Sequence, residues 1–134
     1  MVKQERYLYF RTEATDANDD ATGDSACFPA SSLMGMQPTL DTALTLYFKS
    51  MVRRDPTGSV DHANSLDNND SVVLTISANT HLVAMQAIAE AIVGPNSPSL
   101  IVVANDDSGG TEYLAGSGIS GCGTITVAAA YANS

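Results

Sequence analysis

Apolar and polar residues alternate from the start of the chain. In residues 6–13, RYLYFRTE, Leu8 and Phe10 fall on one side of a predicted strand and Tyr7 and Tyr9 on the other. Residues 42–51, TALTLYFKSM, alternate more cleanly, with Leu44, Leu46 and Phe48 opposed to Thr45, Tyr47 and Lys49. Two short β-branched runs, residues 71–76 (SVVLTI) and 100–104 (LIVVA), suit strands buried on both faces. Residues 124–130, TITVAAA, predict a last strand with Ile125 and Val127 inward.

One segment changes period. THLVAMQAIAEAIV, residues 80–93, reads as a helix that begins after a capping Ser77 or Asn79 and stops at Gly94-Pro95. Leu82, Met85, Ile88, Ala89 and Ile92 recur at spacings of three and four, the stripe expected to face a core. The order β-β-β-α-β-β predicts an α+β domain spanning residues 1–134. Its frame is one mixed, mainly antiparallel sheet of about five strands with one helix packed on it. Residues 71–104 are placed to form a parallel βαβ unit.

Two connections are long for a compact domain, residues 14–41 and 53–70. The first contains SACFPASSLMGMQPT, whose Phe28, Leu33, Met34 and Met36 need cover. That cover is expected from the chain's own sheet or from a neighbouring subunit.

Charge narrows the partners. All six Lys and Arg lie in the first 54 residues, together with seven of the fifteen acids. From Asp55 onward there are eight acids and neither Lys nor Arg. Nucleic acids and anionic membranes both require basic residues, so neither is an expected partner. No signal-peptide apolar region and no membrane-length apolar run is present, so a product made in a cytoplasm is expected. Cys27 and Cys122 permit one bridge, but in that compartment two free thiols are the expected state.

The motifs are tested by their context. Residues 116–121, GSGISG, match the glycine spacing of a dinucleotide loop, which works only between a strand and a helix. Thirteen residues follow Gly121; they read as a strand and contain no acid for a ribose, so a loop into the last strand is expected. Asp16-Ala17-Asn18-Asp19-Asp20 opens like a calcium loop, but Ala21 and Cys27 stand where an EF-hand needs Gly and Glu. A looser calcium site would use Asp16, Asn18, Asp20 and Asp24. Such crowded carboxylates must splay into water or be joined by a cation. Solvated turns are the expected reading there, as for residues 67–70 and 105–107. His62 and His81 lack metal-ligand spacing, and Gly118-Ile119-Ser120-Gly121-Cys122 fails the G-x-S-x-G pattern at its last place. No catalytic residue, cofactor or small-molecule substrate is assigned, and a non-enzyme is expected.

The phrasing YLYFRTEATDANDD, FPASSLMGMQPTLDTALTLYFKSM, DSVVLTISANTHLVAMQAIAEAI, LIVVANDD and TITVAAA resembles small virion structural proteins of marine tailed bacteriophages. The resemblance covers most of the chain and implies a multi-copy, capsid-associated decoration or cement subunit. Its implied partners are other virion subunits, the major capsid protein first, and further copies of itself. Contact work is assigned to Tyr7, Tyr9, Arg11, Phe28, Leu33, Met34 and Met36, with Arg53 and Arg54 able to pair with a neighbour's carboxylates. The alternatives are a small calcium-stabilised surface binding module and a small enzyme.

Overall fold

The described residues form two four-stranded sheets and one helix, so the α+β class holds while the single five-stranded sheet does not. The structure is a computed structural model and describes residues 5–21, 23–50 and 70–127. In chain order come β1 (Tyr7–Arg11), a 3-10 turn (Asp16–Asn18), β2 (Ser25–Pro29), a second 3-10 turn (Ala30–Ser32), β3 (Leu33–Leu40) and β4 (Ala43–Phe48). After these come β5 (Asp70–Ile76), helix α1 (His81–Val93), β6 (Leu100–Asn105), β7 (Glu112–Tyr113) and β8 (Ile119–Thr126). The first sheet has the order β2-β1-β6-β7 and the second β3-β4-β5-β8. Pairing is antiparallel except between β1 and β6.

Two of the three extra strands come from the connection at residues 14–41, and the third is the short β7. β2 pairs with β1, and β3 forms a hairpin with β4, so this segment supplies one edge strand to each sheet. Gly35 and Pro38 disguise β3 as a loop. Pro38 is tolerated because β3 lies at an edge, where one side of the backbone needs no ladder partner. The expected βαβ unit is absent, since β5 and β6 lie in different sheets and α1 carries the chain between them. The parallel partner of β6 is β1. The connection containing Arg53, Arg54 and His62 lies outside the described residues.

The core sits between the sheets. Leu8, Phe10 and Phe28 from the first sheet meet Leu44, Leu46, Phe48, Val72 and Leu74 from the second, all fully buried. The chain's three phenylalanines converge there. Phe28 stacks on Phe48 at 4.2 Å with the rings 7° from parallel, and Phe10 lies 5.8 Å from Phe48 and 6.1 Å from Phe28 at steep angles. Burial on both faces of β5 and β6 is not seen. In β5 the inward residues are Val72, Leu74 and Ile76, while Thr75 is exposed. In β6 a bulge opposite the Tyr9–Phe10 step inserts Val103, so Val103 and Ala104 are both buried in succession.

The helix is rotated from its expected setting. Ala84 and Ile88 are buried and Met85, Ala91 and Ile92 pack on the core, whereas Leu82 and Ala89 are exposed. Apolar residues surround most of this helix, so periodicity leaves its rotation open. Contacts at its two ends help to set it. His81 Nε2 lies 2.8 Å from the Leu40 carbonyl and 3.1 Å from that of Ala43; two acceptors require the proton on that nitrogen. At the other end the Arg6 guanidinium donates to the Ile92 carbonyl at 2.6 Å, a cation at the negative end of the helix. Thr80 is the N-cap residue, in place of the expected Ser77 or Asn79, and its hydroxyl donates to Ser77 O.

The three-ring cluster makes a direct prediction. Phe48→Ala removes the ring that stacks on Phe28 and touches Phe10, and should cost about 3–5 kcal/mol. Denaturant unfolding checks this, and a loss below about 1 kcal/mol would show that the sheets are not held together here.

Candidate contact surface

Strand alternation decides which side chains face out. Leu8 and Phe10 point into the core, so Tyr7 and Tyr9 take the outer face of the first sheet. Register then lines up their neighbours: Pro29, Tyr7 and Leu100 form one row, and Cys27, Tyr9 and Val102 the next. Tyr7 is 42% exposed and Leu100 47%. The result is an apolar and aromatic patch on a sheet whose opposite face is fully packed. Leu100 escapes a reading of the sequence because its run has the character of a buried strand; only the parallel register with β1 places it beside Tyr7.

The other expected contact residues do not join this patch. Phe28 is fully buried in its own chain, so it belongs to the core and not to a contact surface. Leu33 and Met36 pack partly against the same core, and Met34 stands 48% exposed on β3 in the second sheet. Arg53 and Arg54 lie outside the described residues. A second exposed apolar area is the outward side of α1, with Leu82, Val83 and Val93. A shallow groove of about 390 Å³ runs between α1 and the segment after β7, lined partly by Val83, Ala87, Leu114 and Ala115.

Arg11 is taken up by partners within its own chain in place of the expected outer contact. Its side chain is 8% exposed. Its Nε donates to Glu13 O at 2.7 Å, and its Nη2 donates to Asp16 Oδ1 at 2.7 Å. Nη1 lies 3.5 Å from Asp107 Oδ2 and 3.9 Å from Asp19 Oδ2. The hydrogen bond to Asp16, and the charge of Asp107 after it, raise the guanidinium's pKa against the opposing effect of burial. Arg11 is therefore a cation that joins Asp16 and Asp19 to Asp107. Among the described residues no group of three or more His, Cys, Asp or Glu could hold a metal. The four calcium candidates are arranged otherwise: Asp16 serves Arg11, and Asn18 ends a 3-10 turn. Asp24 accepts the backbone amides of Asp20 and Ala21 at 3.1 and 2.8 Å.

The turn at residues 105–107 is likewise more than solvated. Asp106 accepts a short hydrogen bond from the Tyr113 hydroxyl and another, at 3.0 Å, from the Cys122 amide, tying β6 to β7 and β8. Asp106 raises the Tyr113 phenol to about 12, mainly through the hydrogen bond. Burial, aided by the charge of Asp106, pushes the Cys122 thiol up to about 12. Cys122 is buried, Cys27 is exposed, and both are free thiols. Only residues 116–118 of the glycine-rich stretch lead into β8; residues 119–121 already pair with β5, so the last strand begins earlier than expected. Gly118 has φ +77° and a Cβ there would meet Thr80 Oγ1 at 3.2 Å, so turn geometry and close packing both select glycine.

The chain matches no protein-family model, no curated protein and no solved structure. No described helix is long and apolar enough to cross a membrane.

Two outcomes follow from these networks. Tyr113 and Cys122 hold their protons more tightly folded than unfolded. Their stabilisation is therefore complete below about pH 9 and lost as pH rises toward 12. A melting series across that range should fall in the native chain and flatten in a Tyr113→Phe, Cys122→Ala double variant. Chelation should leave the melting temperature of the native chain unchanged, while Arg11→Gln lowers it by several degrees because three carboxylates lose their common partner. A chelator-dependent melt would contradict the assignment of Arg11 as the joining cation.

Proposed function

We propose that this chain is a non-enzymatic structural subunit of a virion, a capsid-associated decoration or cement protein present in many copies. Its partners in this reading are the major capsid protein and other copies of itself. The observation that supports it is the outer face of the first sheet, where Tyr7 and Leu100 remain exposed beside Tyr9, Pro29, Cys27 and Val102. Tyrosine suits contact work because it brings area at low entropy cost and keeps a hydrogen-bonding tip. The sheet beneath is held by the phenylalanine cluster and by Arg11, so the patch is preorganised and little ordering cost is left for binding.

Contact proteins act through covered area and repetition. A standard interface covers about 1,600 Å², and symmetric repetition adds avidity without new contacts. The net charge of −9 keeps the free subunit soluble. Recognition then rests first on the apolar patch, while Asp16, Asp24 and Asp106 also make internal bonds.

The test is binding of the purified chain to tailed-phage shells assembled without it. Saturation at a fixed subunit ratio is expected, and Tyr7→Ser with Leu100→Ser should weaken binding at least about tenfold while leaving the melt cooperative. Binding that never saturates, or that ignores the double variant, would remove the support for this surface.

A further inference from the structure

The open edge of the first sheet has a polarity that selects its partner. In an antiparallel ladder, residues alternate between bonding the neighbouring strand and turning N–H and C=O away from it. Ala30 donates to Arg6 O at 2.7 Å and Thr12 donates to Asp24 O at 2.9 Å, which marks Leu8–Phe28 and Phe10–Ala26 as bonded pairs. Tyr9–Cys27 falls between them. On the other side of β1, Tyr7 donates to Ser99 O and Asp106 donates to Arg11 O, so odd-numbered residues of β1 turn their backbone toward β6. Cys27, and Ser25 and Pro29 with it, therefore direct backbone groups outward from the edge. β2 ends its sheet, and no other described strand pairs with it.

We propose that a second copy of this chain adds to that edge, β2 against β2, antiparallel about a two-fold axis at Cys27. The strand Ser25–Pro29 has Cys27 at its centre, so the pairing is self-complementary. Cys27 of each copy exchanges N–H···O=C bonds with Cys27 of the other. At each end the Ser25 amide reaches the Pro29 carbonyl across the axis. Pro29 lacks an amide hydrogen, so the ladder stops there without leaving a donor unpaired.

Charge favours this orientation. Asp24 precedes Ser25, and Asp19 accepts the Ser25 hydroxyl at 2.7 Å, so the Ser25 end is acidic. At the Pro29 end lie Arg6, bonded to Ala30, and Lys49, whose amide donates to Ser32 O. Glu5 at that end accepts from the amide and hydroxyl of Ser31 at 3.2 and 2.8 Å. The two-fold arrangement brings acidic end to basic end twice; a parallel one would bring acid to acid. It also joins the two Tyr9–Cys27 rows into one outer face. The inference deepens the contact reading and rests on it for the abundance of copies, while the pairing itself can be read without any shell.

Sedimentation velocity of the purified full chain in reducing buffer, across a concentration series, tests it. A monomer–dimer equilibrium is expected, and a short bis-maleimide should couple Cys27 to Cys27 within the dimer. Cys27→Ser should keep the equilibrium and abolish coupling. Cys27→Lys should weaken association at least about tenfold, since like charges meet at the axis, with circular dichroism confirming the native fold. A chain that stays monomeric, or a dimer unaffected by Cys27→Lys, overturns the pairing. A monomer that still saturates shells overturns the pairing alone; a β2 dimer with no affinity for shells sinks only the virion reading.

Discussion

Phe28 lying flat on Phe48 is the contact on which the rest of the structure depends. One ring comes from the first sheet and the other from the second, so their stacking, with Phe10 across their edges, brings the two layers together. Among the described residues, these three rings are the aromatic group that closes the core. Placing Phe28 there also draws in its neighbours. β2 joins the first sheet, and the chain then turns through Ala30–Ser32 to begin β3 in the second. The surface left over is decided by that same placement, because each inward residue sends its neighbour out.

A second constraint holds the far end of β1. Four aspartates within nine residues would repel one another in an isolated loop. Arg11 meets Asp16, Asp19 and Asp107, and its own backbone carbonyl accepts from Asp106. The adjoining Asp106 binds Tyr113 and the Cys122 amide, so the acidic turns tie β1, β6, β7 and β8 into one end of the molecule. Acidity at this end is thus part of the scaffold. The exposed apolar face runs from it along β1, through Tyr9 to Tyr7 and Leu100, and the basic residues Arg6 and Lys49 lie at the opposite end of β2.

Rigidity and exposure are consequently separated. The inner face of the first sheet has no freedom left, and its outer face presents side chains that have not found cover among the described residues. This division is what the proposed contact role requires: the surface is already shaped, and covering it costs little order. The free edge at β2 extends the same argument from side chains to backbone.

Much of this is legible in the amino-acid sequence alone. The alternation of Leu8 and Phe10 against Tyr7 and Tyr9, and the run of Leu44, Leu46 and Phe48, place two strands and their inward faces correctly, although Thr45 on the opposed side of β4 is buried too. Gly94-Pro95 ends the helix, and a last strand is legible after the glycines of GSGISG. These are local properties, set by period and backbone chemistry within a few residues. The division into two sheets, the rotation of α1 and the recruitment of Arg11 are not legible there. Each depends on partners far apart in sequence: Tyr7 beside Leu100, His81 against Leu40, Arg11 against Asp107. A strand records in its own residues which side is apolar, but not which strand lies next to it, and that choice is made only when the whole core closes.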